Sequence, residues 1–111
     1  MSTYRAIWND VVIAESDDTI VVDGYRYFPT ASIHDEHLIP STHHSVCGWK
    51  GQASYYDVTA GGATDQNAAW YYADPKPAAG LVAGYIGFWH GVTIEAAHES
   101  SESTRPAGRD A

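Results

Sequence analysis

The segment Cys47-Gly48-Trp49-Lys50-Gly51 sets a nucleophile, a cation and a large aromatic surface within five residues. It holds the only cysteine of the chain, one of its two lysines and one of its four tryptophans. The glycines allow the backbone to bend sharply there. A free thiol has a pKa near 8.5, so only ~3% is thiolate at pH 7 unless a cation or dipole assists. Lys50 is the candidate cation. In a regular strand, positions 47 and 50 face opposite sides with α-carbons ~10 Å apart, so the two groups meet only if the chain turns or bulges at Gly48. The competing role for Cys47 is a small buried hydrophobe, and for Lys50 a solvated surface lysine.

Two carboxylates, Glu15 and Asp57, are candidate partners for Lys50 across strands, or general bases where burial raises their pKa. The catalytic candidates are thus Cys47, Lys50, Glu15 and Asp57. The aromatic residues supply a second set. Trp8, Tyr25, Tyr27, Trp49, Tyr55, Tyr56, Trp70, Tyr71, Tyr72, Tyr85, Phe88 and Trp89 nearly all fall on predicted strands, and alternation sends one of each adjacent pair inward and the other outward. Some must therefore line a surface or cavity, where hydroxyl and indole N–H groups seek partners. Trp49, Tyr56, Trp70 and Tyr72 are the candidate ligand-binding residues, and a wall of Trp and Tyr suits a flat or apolar small molecule.

His34, His37, His43 and His44 lie close enough in sequence to Cys47 for a Cys/His zinc site to be drawn. Adjacent His43 and His44 point apart in extended chain, and solvated histidines on a surface turn are the preferred reading; no metal and no cofactor is expected. No Ser-His-Asp arrangement stands out. The glycine pair in Gly80-Leu81-Val82-Ala83-Gly84 is no phosphate fingerprint.

The elements that must position these groups are short. Strands are expected over Tyr4–Trp8, Val11–Glu15, Thr19–Val22, Tyr25–Phe28, Ser45–Trp49, Gln52–Val58, Ala68–Tyr72, Tyr85–Trp89 and Val92–Ala96. Asn9-Asp10 reads as a turn, and Asp23-Gly24 as a type I′ turn, which needs positive φ at both central residues. Thr30–Leu38 is the helical candidate, closed by Pro40 and Ser41. Residues 61–67 read as a loop, Asp74-Pro75-Lys76-Pro77 as a rigid break, and Ala78–Ala83 as one helical turn. This spacing predicts an all-β fold, an antiparallel two-sheet tent or small open barrel with one short helix. The domain is expected over residues 1–97, followed by a flexible polar tail over 98–111.

A chain of 111 residues fits one compact domain, with roughly 6,000 Å² of folded surface against roughly 17,500 Å² for the open chain. Fourteen Asp and Glu against six Lys and Arg give a net charge of −8. The cations are scattered rather than clustered, which argues against nucleic acid as a partner, and the acidity disfavours anionic membranes. One cysteine forms no intramolecular disulfide, and no apolar run approaches the ~20 residues of a membrane span. The expectation is a cytoplasmic protein.

With the strands laid out, Ala14-Glu15-Ser16, Tyr27-Phe28-Pro29, Cys47-Gly48-Trp49-Lys50-Gly51, Tyr55-Tyr56-Asp57-Val58 and Ala69-Trp70-Tyr71-Tyr72-Ala73-Asp74-Pro75 stand in an order that resembles domain of unknown function family four-two-seven, also labelled nucleotidyltransferase-like. The resemblance runs from about Tyr4 to Glu95. It implies a β-tent, in which two small antiparallel sheets meet at an angle around a central pocket. Relatives of that fold often hold zinc with two Cys-x-x-Cys pairs, and some reduce methionine sulfoxide with a cysteine. This chain has no Cys-x-x-Cys and no second thiol. The family commonly has proline after the cysteine, where this chain has Gly48. No phosphate-binding loop accompanies the nucleotidyltransferase label.

Three functions follow as expectations. The first is binding of a small molecule in an aromatic-lined pocket around Cys47, Trp49 and Lys50, with or without catalysis. The second is a cysteine-dependent enzyme with Cys47 as nucleophile or redox centre. The third is a non-catalytic interaction module whose exposed aromatics form a partner or homodimer surface.

Overall fold

The computed structural model describes residues 3–97, so the expected tail over 98–111 lies outside the described residues. Nine strands form: β1 (Thr3–Trp8), β2 (Val11–Ser16), β3 (Ile20–Val22), β4 (Tyr25–Pro29), β5 (Leu38–Cys47), β6 (Gly51–Ala60), β7 (Ala63–Tyr71), β8 (Tyr85–Phe88) and β9 (Thr93–Ala97). They make two sheets, one of order β2-β1-β9 and one of order β3-β4-β8-β7-β6-β5. Every pairing is antiparallel. The expected all-β, two-sheet antiparallel architecture is what forms, and among the described residues neither sheet closes into a barrel.

Three two-residue hairpins anchor the register. Asn9-Asp10 (φ 52° and 63°), Asp23-Gly24 (φ 55° and 84°) and Gly61-Gly62 (φ 61° and 82°) each have both central residues in the left-handed region. Their twist matches the flanking strands, and Asn, Asp and Gly tolerate that conformation best. The Gly61-Gly62 hairpin also corrects the predicted loop over 61–67, because β7 starts immediately afterwards at Ala63.

The expected helix over Thr30–Leu38 does not form. Two single 3₁₀ turns, Thr30–Ser32 and Asp35–His37, stand in its place. The chain between them is captured by β2: Ile33 forms an isolated bridge to Ala14, and the His34 N–H donates to the Ile13 carbonyl at 2.8 Å. Ile33 is thereby buried in the core, and a helix would have required that amide for its own ladder. Pro40 does not end an element either. It lies in β5, the outermost strand of its sheet, where a missing N–H costs no ladder bond.

The larger sheet has a core on each face. One core packs Phe28, Val58, Ala69, Ile86 and Phe88 against Ala6, Ile13 and Ala14 of the smaller sheet. The other holds Tyr27, Ala53, Tyr55, Trp70 and Tyr72, with Ala79 and Val82 from the 3₁₀ segment Pro77–Val82. Strand alternation produces this division. Tyr27 pairs with Gly87, Gly87 with Trp70, and Trp70 with Tyr55, so one row of residues crosses four strands on a single face. Gly87 is required in that row: a Cβ there would lie 2.7 Å from Cζ2 of the Trp70 indole.

The sheet also curls over this second core. The β3–β4 and β5–β6 hairpins sit at opposite edges, about 19 Å apart on a flat sheet at ~4.8 Å per strand spacing. Asp23 of the first hairpin nevertheless pairs with Lys50 of the second. No side chain spans 19 Å, so curvature brings the hairpins together.

Candidate functional site

Strand β5 ends at Cys47, which pairs with Gly51 at the start of β6. Gly48, Trp49 and Lys50 form the three-residue loop between them, and Gly51 carries the positive φ of 111° that closes it. The predicted straight strand Ser45–Trp49 therefore stops two residues early, and the chain turns at Gly48. The segment after β7 lies across this loop. The Lys76 amide donates to the Lys50 carbonyl at 2.9 Å, and the Lys76 ammonium to the Gly48 carbonyl at 2.8 Å.

This turn folds Lys50 inward. The residue is only 5% exposed, the one polar or charged side chain buried to that degree among the described residues. An uncompensated buried ammonium would be costly. Here its Nζ donates to Oδ2 of Asp23, which also accepts the Trp49 indole N–H at 3.2 Å. The ammonium lies 4.8 Å from the Trp49 ring centroid and 5.7 Å from that of Tyr72, within cation–π range. Burial works to lower the Lys50 pKa, but Asp23, with Tyr72, Tyr27 and Cys47 nearby, carries it above the ordinary lysine value. The hydrogen bond from Lys50, with its charge, holds the Asp23 carboxyl below its usual range.

Cys47 is partly exposed and packs at the margin of the second core. Its thiol is pulled below the ordinary range first by the backbone N–H groups of Trp49 and Lys50, and then by the Lys50 ammonium. The same turn that removes Lys50 from water therefore keeps two backbone amides near the sulfur.

The aromatic layer continues from this turn. Trp70 meets Tyr25 edge-on at 5.1 Å, Tyr27 at 5.7 Å and Trp89 at 5.2 Å between centroids. Its indole N–H donates to the Tyr27 hydroxyl at 3.1 Å. Tyr55 lies between Trp89 (6.2 Å) and His43 (4.7 Å). Burial raises the Tyr27 pKa, and pushes that of Tyr72 up to about 12. Trp49 (41% exposed) and Tyr25 (40%) remain open to solvent at the rim.

Of the sequence candidates, Cys47, Trp49, Lys50, Trp70 and Tyr72 come together here. Three do not. Glu15 pairs with Arg5 across β1 and β2 on the other sheet, Oε1 lying 3.3 Å from Nε at an angle that makes charge proximity rather than a directed hydrogen bond. Tyr56 points to the opposite core and stacks on Tyr71 at 5.2 Å. Asp57 is six residues along β6 from Gly51, about 20 Å at the rise of a strand, and its Oδ1 accepts the Asn67 N–H at 2.9 Å. The carboxylate that serves Lys50 is Asp23, which sequence reading had assigned only to a turn. Its one sequence signal is its place in an Asp-Gly hairpin; nothing local indicates which loop that hairpin meets.

The histidines stay apart. His37 Nδ1 lies 2.9 Å from the Thr59 carbonyl, and His44 Nδ1 lies 3.3 Å from the Ser54 hydroxyl. Among the described residues no three His, Cys, Asp or Glu gather as a metal-binding group. No helix among them is long and apolar enough to cross a membrane.

A family model described as "Domain of unknown function (DUF427)" matches residues 2–99. No curated protein matches the chain. The fold and the extent of the match place the chain in the DUF427 family.

Proposed function

We propose that this member of the DUF427 family binds a small, flat, uncharged molecule against the aromatic layer, with the Cys47–Lys50 turn as its polar end. The observation that carries this reading is the buried Lys50 ammonium, held between Asp23 and two aromatic rings beside a partly exposed thiol. Replacing a buried ion pair with well-packed apolar residues is often neutral or stabilising. A folded β-domain thus does not require this pair for stability, and a recognition role gives it a purpose. Trp49 and Tyr25 at the rim offer ring faces for stacking.

The electrostatics narrow the ligand class. Asp23 already neutralises Lys50, so the buried ammonium offers no free positive charge to a phosphate or carboxylate, and the exposed Lys76 ammonium at the turn is bonded to the Gly48 carbonyl. The whole chain carries −8, which repels polyanions further. A neutral ring with an edge that accepts or donates hydrogen bonds fits both ends of the site.

A second reading is favoured by the depressed thiol: Cys47 as the nucleophile or redox centre of an enzyme, with its thiolate held by two amides and the ammonium. Binding comes first in either case.

The test is a titration of ¹⁵N-labelled protein with indole, nicotinamide, adenine and thymine, each beside AMP as a charged control. The expected result is saturable shifts in the amides of residues 47–51 from at least one neutral ring, with weaker response to AMP and none in Trp49→Ala. A folded protein whose 47–51 amides respond to none of the four removes the site. A normal response in folded Trp49→Ala removes Trp49 from it.

A further inference from the structure

The middle of β6 is flanked by irregularities on both sides. On β5, Ser41, Thr42 and His43 stand opposite Tyr55 alone, between the Pro40–Tyr56 and His44–Ser54 pairs. On β7, Gln66, Asn67 and Ala68 stand opposite Asp57 alone, between the Asp65–Val58 and Ala69–Tyr56 pairs. Bulges re-aim side chains and concentrate beside binding sites. Here the two open a cleft of about 590 Å³, lined by polar groups that include Ser41, Thr42, His43, Asp57, Gln66 and Asn67. That volume lies within the range of small-molecule sites.

The cleft's polar groups are fixed in place. Asn67 sits at φ 55°, its N–H donates to Asp57 Oδ1 at 2.9 Å, and its side-chain Oδ1 accepts the Ser41 hydroxyl at 2.5 Å. The Ser41 oxygen accepts the His43 N–H at 3.1 Å, and the Asn67 carbonyl accepts the Trp89 indole at 2.6 Å. These bonds use Asp57 Oδ1 and Asn67 Oδ1, so the second carboxylate oxygen of Asp57 adds an acceptor to the cleft and the Asn67 side-chain N–H₂ adds a donor. The hydroxyl of Thr42 and the amide of Gln66 add both kinds of capacity. His43 packs on Tyr55 at 4.7 Å between centroids, tilted by 58°, and gives the cleft a ring wall. Among the described residues, neither Lys nor Arg lines the cleft.

From this arrangement we infer that the cleft between the two bulges binds a neutral polyhydroxyl ligand of monosaccharide size. A carboxylate oxygen accepts from adjacent hydroxyls, an amide N–H₂ donates to their oxygens, and a ring face covers the apolar C–H side. The absence of a lining cation beside Asp57 disfavours anions. The Cys47–Lys50 turn plays no part in this assignment, because Asp57 is about 20 Å from it along β6; the cleft meets only the far end of the aromatic layer, where His43 packs on Tyr55 and the Asn67 carbonyl holds the Trp89 indole.

The full chain, labelled with ¹⁵N, is titrated separately with glucose, galactose, mannose and myo-inositol up to about 50 mM, and with spermidine and inorganic phosphate as charged probes. At least one of the four polyols is expected to shift the amides of Ser41, Thr42 and Asn67 saturably, with a dissociation constant on the order of 1 mM and no shift at residues 47–51. Asp57→Asn keeps an oxygen for the Asn67 amide but removes the charge, and should weaken binding by about tenfold or more. Thr42→Val, at an exposed position, should weaken it by about threefold and serves if Asp57→Asn does not fold. The inference is overturned if no polyol gives saturable shifts, or if both folded variants bind as the parent does. Saturation by spermidine or phosphate at lower concentration than every polyol also overturns it.

Discussion

Cys47 is activated by the backbone before it is activated by a side chain. The amides of Trp49 and Lys50 are the leading causes of its lowered pKa, with the Lys50 ammonium behind them. The rate of iodoacetamide labelling against pH should therefore titrate below that of the urea-unfolded chain, and Lys50→Met should return only a minor part of the shift. Full return in a folded variant would make the ammonium the main cause; titration of the folded parent at the unfolded chain's value would show no activation. The Lys50–Asp23 pair is asymmetric in the same way. Lys50 is buried, whereas the Asp23 carboxylate is half open to water. Lys50→Met leaves a carboxylate that water can solvate, and should cost less than about 1 kcal/mol in urea unfolding. Asp23→Asn leaves a buried ammonium without its counter-charge and should lower the unfolding midpoint more than Lys50→Met does. The reverse order would mean that Lys50 contributes mainly through its packed stem.

At the scale of elements, the hairpins and the aromatic row set what can move. Trp70 is held by the Tyr27 hydroxyl, by Tyr25 and by Trp89, and its indole covers Gly87. Gly87→Ala drives a methyl into a ring that has nowhere to go. It should cost about 1–3 kcal/mol and shift tryptophan emission; a loss below about 0.5 kcal/mol would mean that the layer is loosely packed. Asp23-Gly24 and Asn9-Asp10 were legible in the sequence because few residues tolerate positive φ at both turn positions. The bend at Gly48 was legible as a condition for Cys47 and Lys50 to meet. The helix over Thr30–Leu38 was misread because its spacing is local, while the bridge that captures Ile33 comes from β2. Alternation required one of Tyr55 and Tyr56 to face each core but did not say which. Asp23 was missed because its partner is 27 residues away and reaches it only through the curl of the sheet.

Across the whole molecule, the ionisable groups of the two cores make stability fall at both extremes of pH, with more groups acting on the alkaline side. Asp23 has a lowered pKa, so its contribution is present above the unfolded value of 3.8 and is lost as pH falls through the folded one. Lys50 has a raised pKa, so its contribution is present below 10.5 and is lost as pH rises through the folded value. Tyr72, only 7% exposed, moves from 10.0 to about 12, and burial also raises Tyr27, Tyr56 and Tyr85. Between the two Tyr72 values the unfolded chain has released a proton that the folded chain keeps, so stability falls as pH rises. Each such group steepens that fall by at most about 1.4 kcal/mol per pH unit, less where solvent screens it. The protein should therefore hold a plateau through neutral pH and lose stability steeply above about pH 10. Tyr72→Phe removes one of these groups, and its urea midpoint should decline more gently from pH 10 to 12 while matching the parent's trend from pH 6 to 9. An alkaline slope identical to the parent's would show that the Tyr72 hydroxyl ionises as freely in the fold as in the open chain. The aromatic layer would then be wet at its centre, and the site proposed on it would lose its dry wall.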